Sequence, residues 1–163
     1  MKSLLIMRHA KSSWSDSDLG DHDRPLNDRG KRDAPRMGRL LADERMTPDL
    51  IISSTAKRAR KTVAKVAKAS GFDGDIQFEA GLYHGDCETW LSLLRNVPER
   101  NDRVMVVGHN PGLEMLLELL TGRREELPTA ALACLTLPIE NWSQLPREPA
   151  GELAGIWRPR DLG

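Results

Sequence analysis

The stretch Leu4-Leu5-Ile6-Met7-Arg8-His9-Ala10 decides how this chain is read. It begins as a short apolar run and stops abruptly at an arginine and a histidine. Apolar runs of this length read as buried strands. In an open α/β sheet, ligands bind just beyond the carboxyl ends of the strands, which is where Arg8 and His9 fall. A guanidinium beside an imidazole suits an anion, phosphate above all, and the imidazole can attack it.

The same pattern recurs at Arg103-Val104-Met105-Val106-Val107-Gly108, the strongest strand signal in the chain, which runs into His109 and then Asn110-Pro111-Gly112. If both strands are central and parallel, His9 and His109 meet at one sheet edge. Outward from the first strand, residues 11–27 (KSSWSDSDLGDHDRPLN) are polar and rich in Ser, Asp and Gly, the composition of a long functional loop. Asn27 is placed to cap a helix over 28–44, with Ala34, Met37, Leu40 and Leu41 at helical spacing. Pro35 fits that helix only within its first turns, or moves its start later.

A strand follows at Asp49-Leu50-Ile51-Ile52-Ser53, with Ser53, Ser54 and Thr55 as cap candidates for a helix over 56–69 that Gly71 ends. Residues 76–79 form a weak strand, 80–86 a loop, and 87–95 a helix carrying Trp90, Leu91 and Leu94. Beyond His109, a helix over 112–121 aligns Leu113, Leu116, Leu117 and Leu120. Residues 131–137 read as a strand, 138–150 as a loop and 153–157 as a last strand. This alternation predicts an α/β fold, a three-layer α/β/α sandwich around a mostly parallel sheet of about six strands. The 163 residues are expected to form a single domain, 1–163.

Charged residues make up 29% of the chain at zero formal net charge, so no large nucleic-acid footprint is expected. The Lys57, Lys61, Lys65, Lys68 stripe reads as a solvated helix face. Asp16, Asp18, Asp21 and Asp23 lack the glycine and terminal glutamate of a calcium loop. They read as loop solvation, with Asp21 or Asp23 orienting Arg24. Trp14 is expected to pack that loop down. Cys87 and Cys134 stand far apart in no CxxC pair, which fits a reducing cytosol and no disulfide framework. The first apolar run is too short for a signal peptide or a membrane span, so a cytoplasmic protein with no membrane partner is expected. No phosphate loop or GxGxxG is present.

Arg58 lies just inside the start of the second helix, where free backbone N–H groups already favour anions. Arg24 adds a further cation. Two arginines and two histidines around one spot make a phosphate pocket without metal.

These residues resemble a known family. Arg8-His9-Ala10 stands where the histidine phosphatase superfamily carries Arg-His-Gly after its first strand. RHAKSSW (8–14) and DHDRPLNDRG (21–30) are similar to the small SixA-type phosphohistidine phosphatases within it. The second arginine motif, S-x-x-x-R-A-x-x-T, matches Ser54, Arg58, Ala59 and Thr62. The second histidine motif, VVGHNP, is residues 106–111. The likeness runs in order along essentially the whole chain and implies a phosphoglycerate mutase-like fold.

The resemblance implies that His9 is the nucleophile and forms a phosphohistidine intermediate. It implies that Arg8 and Arg58 bind the phosphoryl oxygens and that His109 stabilises the transition-state charge. Arg24, Asn110 and His84 are assigned to substrate binding. No metal or organic cofactor is needed. Many relatives carry a carboxylic acid as Leu-x-Glu after the third strand. Here Leu82-Tyr83-His84 puts His84 there, with Glu79, Asp86 and Glu88 nearby, and SixA-type members resemble this in lacking the acid.

An alkoxide leaving group needs a proton, whereas the nitrogen of a phosphoramidate is more easily protonated. The preferred substrate is therefore phosphohistidine on a protein, such as a histidine phosphotransfer domain or a phosphocarrier. The alternatives are a phosphatase for a small phosphorylated compound and a non-catalytic phospho-binding module.

Overall fold

Along Lys2–Arg8 (β1), Leu4 and Ile6 enter one core and Leu5 and Met7 the other, all four fully buried. A strand with both alternating faces apolar belongs in the middle of a covered sheet. In the computed structural model, which describes residues 1–162, that is its position. The remaining strands are Leu50–Ser54 (β2), Asp75–Glu79 (β3), Arg103–Gly108 (β4), Leu132–Leu137 (β5) and Glu152–Trp157 (β6). Their order is β3-β2-β4-β1-β5-β6. β1, β2, β3 and β4 run parallel, β5 is antiparallel to β1, and β6 is antiparallel to β5. The sheet is thus mixed, with β5 alone reversed.

Helices Asp28–Asp43 (α1) and Lys57–Ser70 (α2) pack together over one face. There Ala34, Met37, Leu41, Val63 and Val66 meet Leu5, Met7, Met105 and Val107. Helices Cys87–Arg95 (α3) and Gly112–Thr121 (α4) cover the other, with Trp90, Leu91, Leu113 and Leu117 against Leu4, Ile6, Val104 and Val106. This is the three-layer α/β/α arrangement anticipated from the sequence.

Three local readings need correction. Pro35 lies well inside α1, past its first turn, and the helix start does not move. Asn27 fixes that start, its side chain accepting from the Gly30 N–H at 2.9 Å. Gly30 is packed so closely on the Lys11 carbonyl that a side chain would collide with it. At the start of α2, none of Ser53, Ser54 and Thr55 is the N-cap. Ala56 holds that position, and Ser54 Oγ accepts from the Ala56 N–H at 3.1 Å just before the helix. The 138–150 loop contains a short 3-10 turn at Trp142–Gln144, and Trp142 is fully buried with its indole N–H donating to the Asn101 carbonyl.

Candidate active site

Register places the two histidines. β1 and β4 pair Arg8 with Gly108, so each strand offers a histidine one residue further on. The His9 N–H donates to the Gly108 carbonyl at 3.1 Å, and the two imidazoles sit with ring centroids 5.0 Å apart. On its other side the end of β1 is held by the Ala130 N–H, which is shared between the Arg8 and His9 carbonyls. Ala10, the departure from the family glycine, is fully buried, and its N–H donates to Thr62 Oγ1 at 2.9 Å. Thr62 in turn donates to the Arg58 carbonyl, linking β1 to the first turns of α2.

The hydrogen bonds of His9 define its tautomer. Nδ1 lies 2.8 Å from the Ala10 carbonyl, which can only accept. The proton is therefore on Nδ1, and the Nε2 lone pair is free to act as a nucleophile. Burial pushes the imidazole far below its ordinary value, to about 3, and His109, Arg58 and Arg8 add to the shift against the Ala10 carbonyl. His109 is held at about 4, by burial first and then by Arg58. Both rings are neutral at pH 7.

His109 Nε2 lies 2.8 Å from Ser54 Oγ. Ser54 Oγ accepts from the Ala56 N–H, and its own O–H is free to donate to Nε2; in that arrangement the His109 proton sits on Nδ1. That Nδ1 is buried without a partner in the protein. The same is true of Arg8 Nε and Arg58 Nε. Buried polar groups are ordinarily paired. Three orphaned nitrogens on two arginines and a histidine suit a ligand that only accepts hydrogen bonds. Among the described residues, the one other buried side-chain N or O without a partner is Asn110 Oδ1. The Asn110 amide donates to the Leu127 carbonyl at 2.8 Å, which also accepts from Arg8 at 3.2 Å. Glu114 fastens this corner by accepting from Asn110 and from the Leu127 N–H.

Arg24 does not reach the histidines directly. It donates to Ser12 Oγ at 2.7 Å and to Asp21 at 2.9 Å. Of the two carboxylates read as possible partners, Asp21 holds Arg24. It also faces Arg58, which donates to its carbonyl at 2.8 Å and to its carboxylate at 3.1 Å, and it accepts from the Tyr83 hydroxyl. Tyr83 and the two arginines hold the Asp21 carboxyl at about 2. Trp14 is 71% exposed but lies over Arg24, 3.4 Å from its ring centroid to the guanidinium carbon. Tyr83 is wedged between His22, His84 and His109, at 4.9, 4.2 and 5.5 Å between ring centroids.

His84 is exposed at the rim against Tyr83. The nearby acids are engaged elsewhere. Glu79 accepts from Gln77, Asp86 caps α3 through Thr89, and Glu88 pairs with Arg147. Sequence reasoning missed the parts played by Ser54, Tyr83 and Glu114. Ser54 belonged to a quoted motif, but nothing local joins it to His109.

Among the described residues, no three His, Cys, Asp or Glu side chains are grouped to hold a metal ion. No helix there is long and apolar enough to cross a membrane. The arrangement can cradle a phosphoryl group and present an unprotonated imidazole to it.

Residues 4–94 match the family model of the histidine phosphatase superfamily, branch 1, and the chain belongs to that family. It is 32% identical over 166 residues to an uncharacterized protein of Mycobacterium tuberculosis, covering 94% of this chain and all of that one. It is 33% identical over 153 residues to an uncharacterized chloroplastic protein of Arabidopsis thaliana, covering 88% and 70%. Among solved structures it is similar to the provisionally named phosphohistidine phosphatase SixA of Agrobacterium tumefaciens. There the TM-score is 0.84 at 33% identity, over 97% of this chain and 98% of that one. Family and structure together mark the chain as a SixA-type phosphatase.

Proposed function

We propose that the chain removes the phosphoryl group from phosphohistidine carried by another protein, through a phosphohistidine formed on its own His9. The observation that carries this is the fixed tautomer of His9: Nδ1–H on the Ala10 carbonyl and a free, neutral Nε2 beside Arg8, Arg58 and His109. In the first step Nε2 attacks phosphorus. The phosphorus–nitrogen bond of the substrate breaks, and its electron pair returns to the substrate imidazole, which takes a proton from solvent. In the second step water attacks phosphorus, the His9–phosphorus bond breaks, and orthophosphate leaves with His9 restored. Arg8, Arg58 and His109 spread the charge on the transferred group, so the chemistry calls for no metal.

The substrate class rests on the proton inventory. Glu79, Asp86 and Glu88 are each tied to other groups, and Asp21, at the mouth of the site, is held at about 2 and so ionised, which leaves none of these four carboxyls to protonate a leaving oxygen. A nitrogen leaving group needs no such acid. A phosphotransfer domain or phosphocarrier is the partner this favours, which would place the protein in cytoplasmic signalling. Cys87 and Cys134, both free thiols, accord with that compartment. Residues 1–163 are taken as one histidine phosphatase domain.

The test is phosphate release from a phosphohistidine-bearing phosphotransfer protein, beside para-nitrophenyl phosphate and sugar phosphates, in EDTA. Release from the protein is expected to exceed release from the esters, and His9→Ala is expected to lower it by about 10⁴-fold. Faster release from an ester would move the assignment to a small-compound phosphatase. Normal activity in His9→Ala would end the proposal.

A further inference from the structure

Helix α2 carries six cations, Lys57, Arg58, Arg60, Lys61, Lys65 and Lys68, and no acid. The site uses only Arg58. Helix α1, packed beside it, adds five cations against three acids, of which Asp33 is buried between Arg29 and Arg36. These two helices thus hold an excess of eight positive charges in a chain whose formal net charge is zero.

That distribution works against the helix that bears it. Cations in a first turn oppose the helix dipole, and α2 opens with Lys57, Arg58 and Arg60 and no acid. Lys57, Lys61 and Lys65 follow at successive i,i+4 positions, a repulsive spacing. Among the described residues, Lys57, Arg60, Lys61, Lys65 and Lys68 make no ion pair. Arg60, Lys61 and Lys68 are exposed, and Lys57 and Lys65 half-buried. The stripe starts beside Arg58 and runs from the phosphate cage for about 20 Å.

We propose that the outer face of α2 is the docking surface for the substrate protein, and that it recognises an acidic surface flanking the phosphohistidine. The inference rests on the phosphatase reading of His9 and adds the chemistry by which a partner is selected. Charge complementarity argues for the occupant: an unpaired basic stripe continuous with a phosphate-binding arginine takes a phosphorylated group on an acidic background. Single-stranded nucleic acid is less suited, because α1 and α2 contain no aromatic residue on which a base could stack.

The experiment uses three synthetic phosphohistidine peptides of equal length, flanked by glutamate, by serine and glutamine, or by lysine. Phosphoramidate serves as the small substrate. The Glu-flanked peptide is expected to exceed the Lys-flanked one in kcat/KM by at least about tenfold at low salt, and to lose most of that advantage near 0.5 M salt. Lys61→Glu/Lys65→Glu/Lys68→Glu is expected to abolish the preference while leaving phosphoramidate hydrolysis unchanged. The corresponding Arg variant should keep the preference.

Equal kcat/KM for the three peptides, or a preference that survives in the Glu variant, would overturn the proposal. Binding of the fluorescein-labelled peptides is followed by anisotropy in parallel. If no substrate is turned over, the phosphatase reading fails. The docking face still stands if Glu-flanked binding is selective and lost in the variant, and falls if it is not. Tighter binding of oligouridylate than of the Glu-flanked peptide, or a salt-dependent dimer in sedimentation, would assign the face to another occupant.

Discussion

Asp21 and Arg58 face each other across the mouth of the site, with carboxylate and guanidinium 3.1 Å apart and the Asp21 carbonyl on the same guanidinium at 2.8 Å. The carboxylate thus takes up one edge of a cation that a phosphoryl group would also engage. A tightly bound anion has to share Arg58 with Asp21 or turn it away. Asp21→Asn is expected to strengthen inhibition by orthophosphate or tungstate by about two- to fivefold, the range of a partly exposed ion pair. Tyr83 first, and then the arginines, hold the carboxyl at about 2. The difference between variant and wild type should therefore be constant from pH 5 to 9. Inhibition constants across that range check both statements.

Ser54 acts through His109. Its Oγ lies 2.8 Å from Nε2 and holds the ring in place. Ser54→Ala removes the hydrogen bond to His109, of about 1 kcal/mol, together with the one that Oγ accepts from the Ala56 N–H. It is expected to lower kcat by about five- to tenfold with little change in KM. A Ser54→Thr variant, which keeps the hydroxyl, should recover most of the rate. Equal rates for the Ala variant and wild type would remove Ser54 from the site.

Stability should fall with acid in a defined window. His9 and His109 are held neutral in the folded protein, near 3 and 4, against about 6.5 in the unfolded chain. Below that value the unfolded chain takes up protons that the folded one does not. Their contribution is complete above pH 6.5 and is lost as pH falls toward 4 and then 3. Each histidine adds a slope of about 1.4 kcal/mol per pH unit in that window. Urea unfolding of wild type and His9→Gln at pH 7, 5 and 4 should show the smaller acid loss in the variant.

Gly30→Ala tests how the long loop is anchored. A Cβ there would run into the Lys11 backbone, at the point where the loop returns to meet α1. The Lys11 carbonyl also accepts from the Asn27 N–H. The variant is expected to lose about 1–3 kcal/mol of stability, measured by urea unfolding, because backbone and not a flexible side chain has to yield.

The layers of the fold were legible because they rest on local periodicity. The runs ending at Arg8 and Gly108 are apolar on both faces, and the helices between them carry clear stripes. The position of His9 next to His109 followed once both strands were taken as central and parallel. The partners of those residues were not legible. Asp21 meets Arg58 across 37 positions, Ser54 meets His109 across 55, and Tyr83 meets Asp21 across 62. Such pairs leave no periodic trace. Pro35 misled for a related reason. Propensity disfavours a proline in that turn, but the Asn27 cap and the Gly30 contact set where the helix starts.

The end of β1 is tied on both sides, by the His9 N–H to Gly108 and by the Ala130 N–H shared between the Arg8 and His9 carbonyls. His9 is therefore among the points of the chain least free to follow a substrate. Differences between one phosphorylated substrate and another would have to be absorbed elsewhere, by the loop pinched shut where Ser12 bridges to Leu26 and by the surfaces around it. On the proposed reading, the chemistry at His9 and the choice of substrate are separable, and a change of substrate can be written in the loop without altering the end of β1.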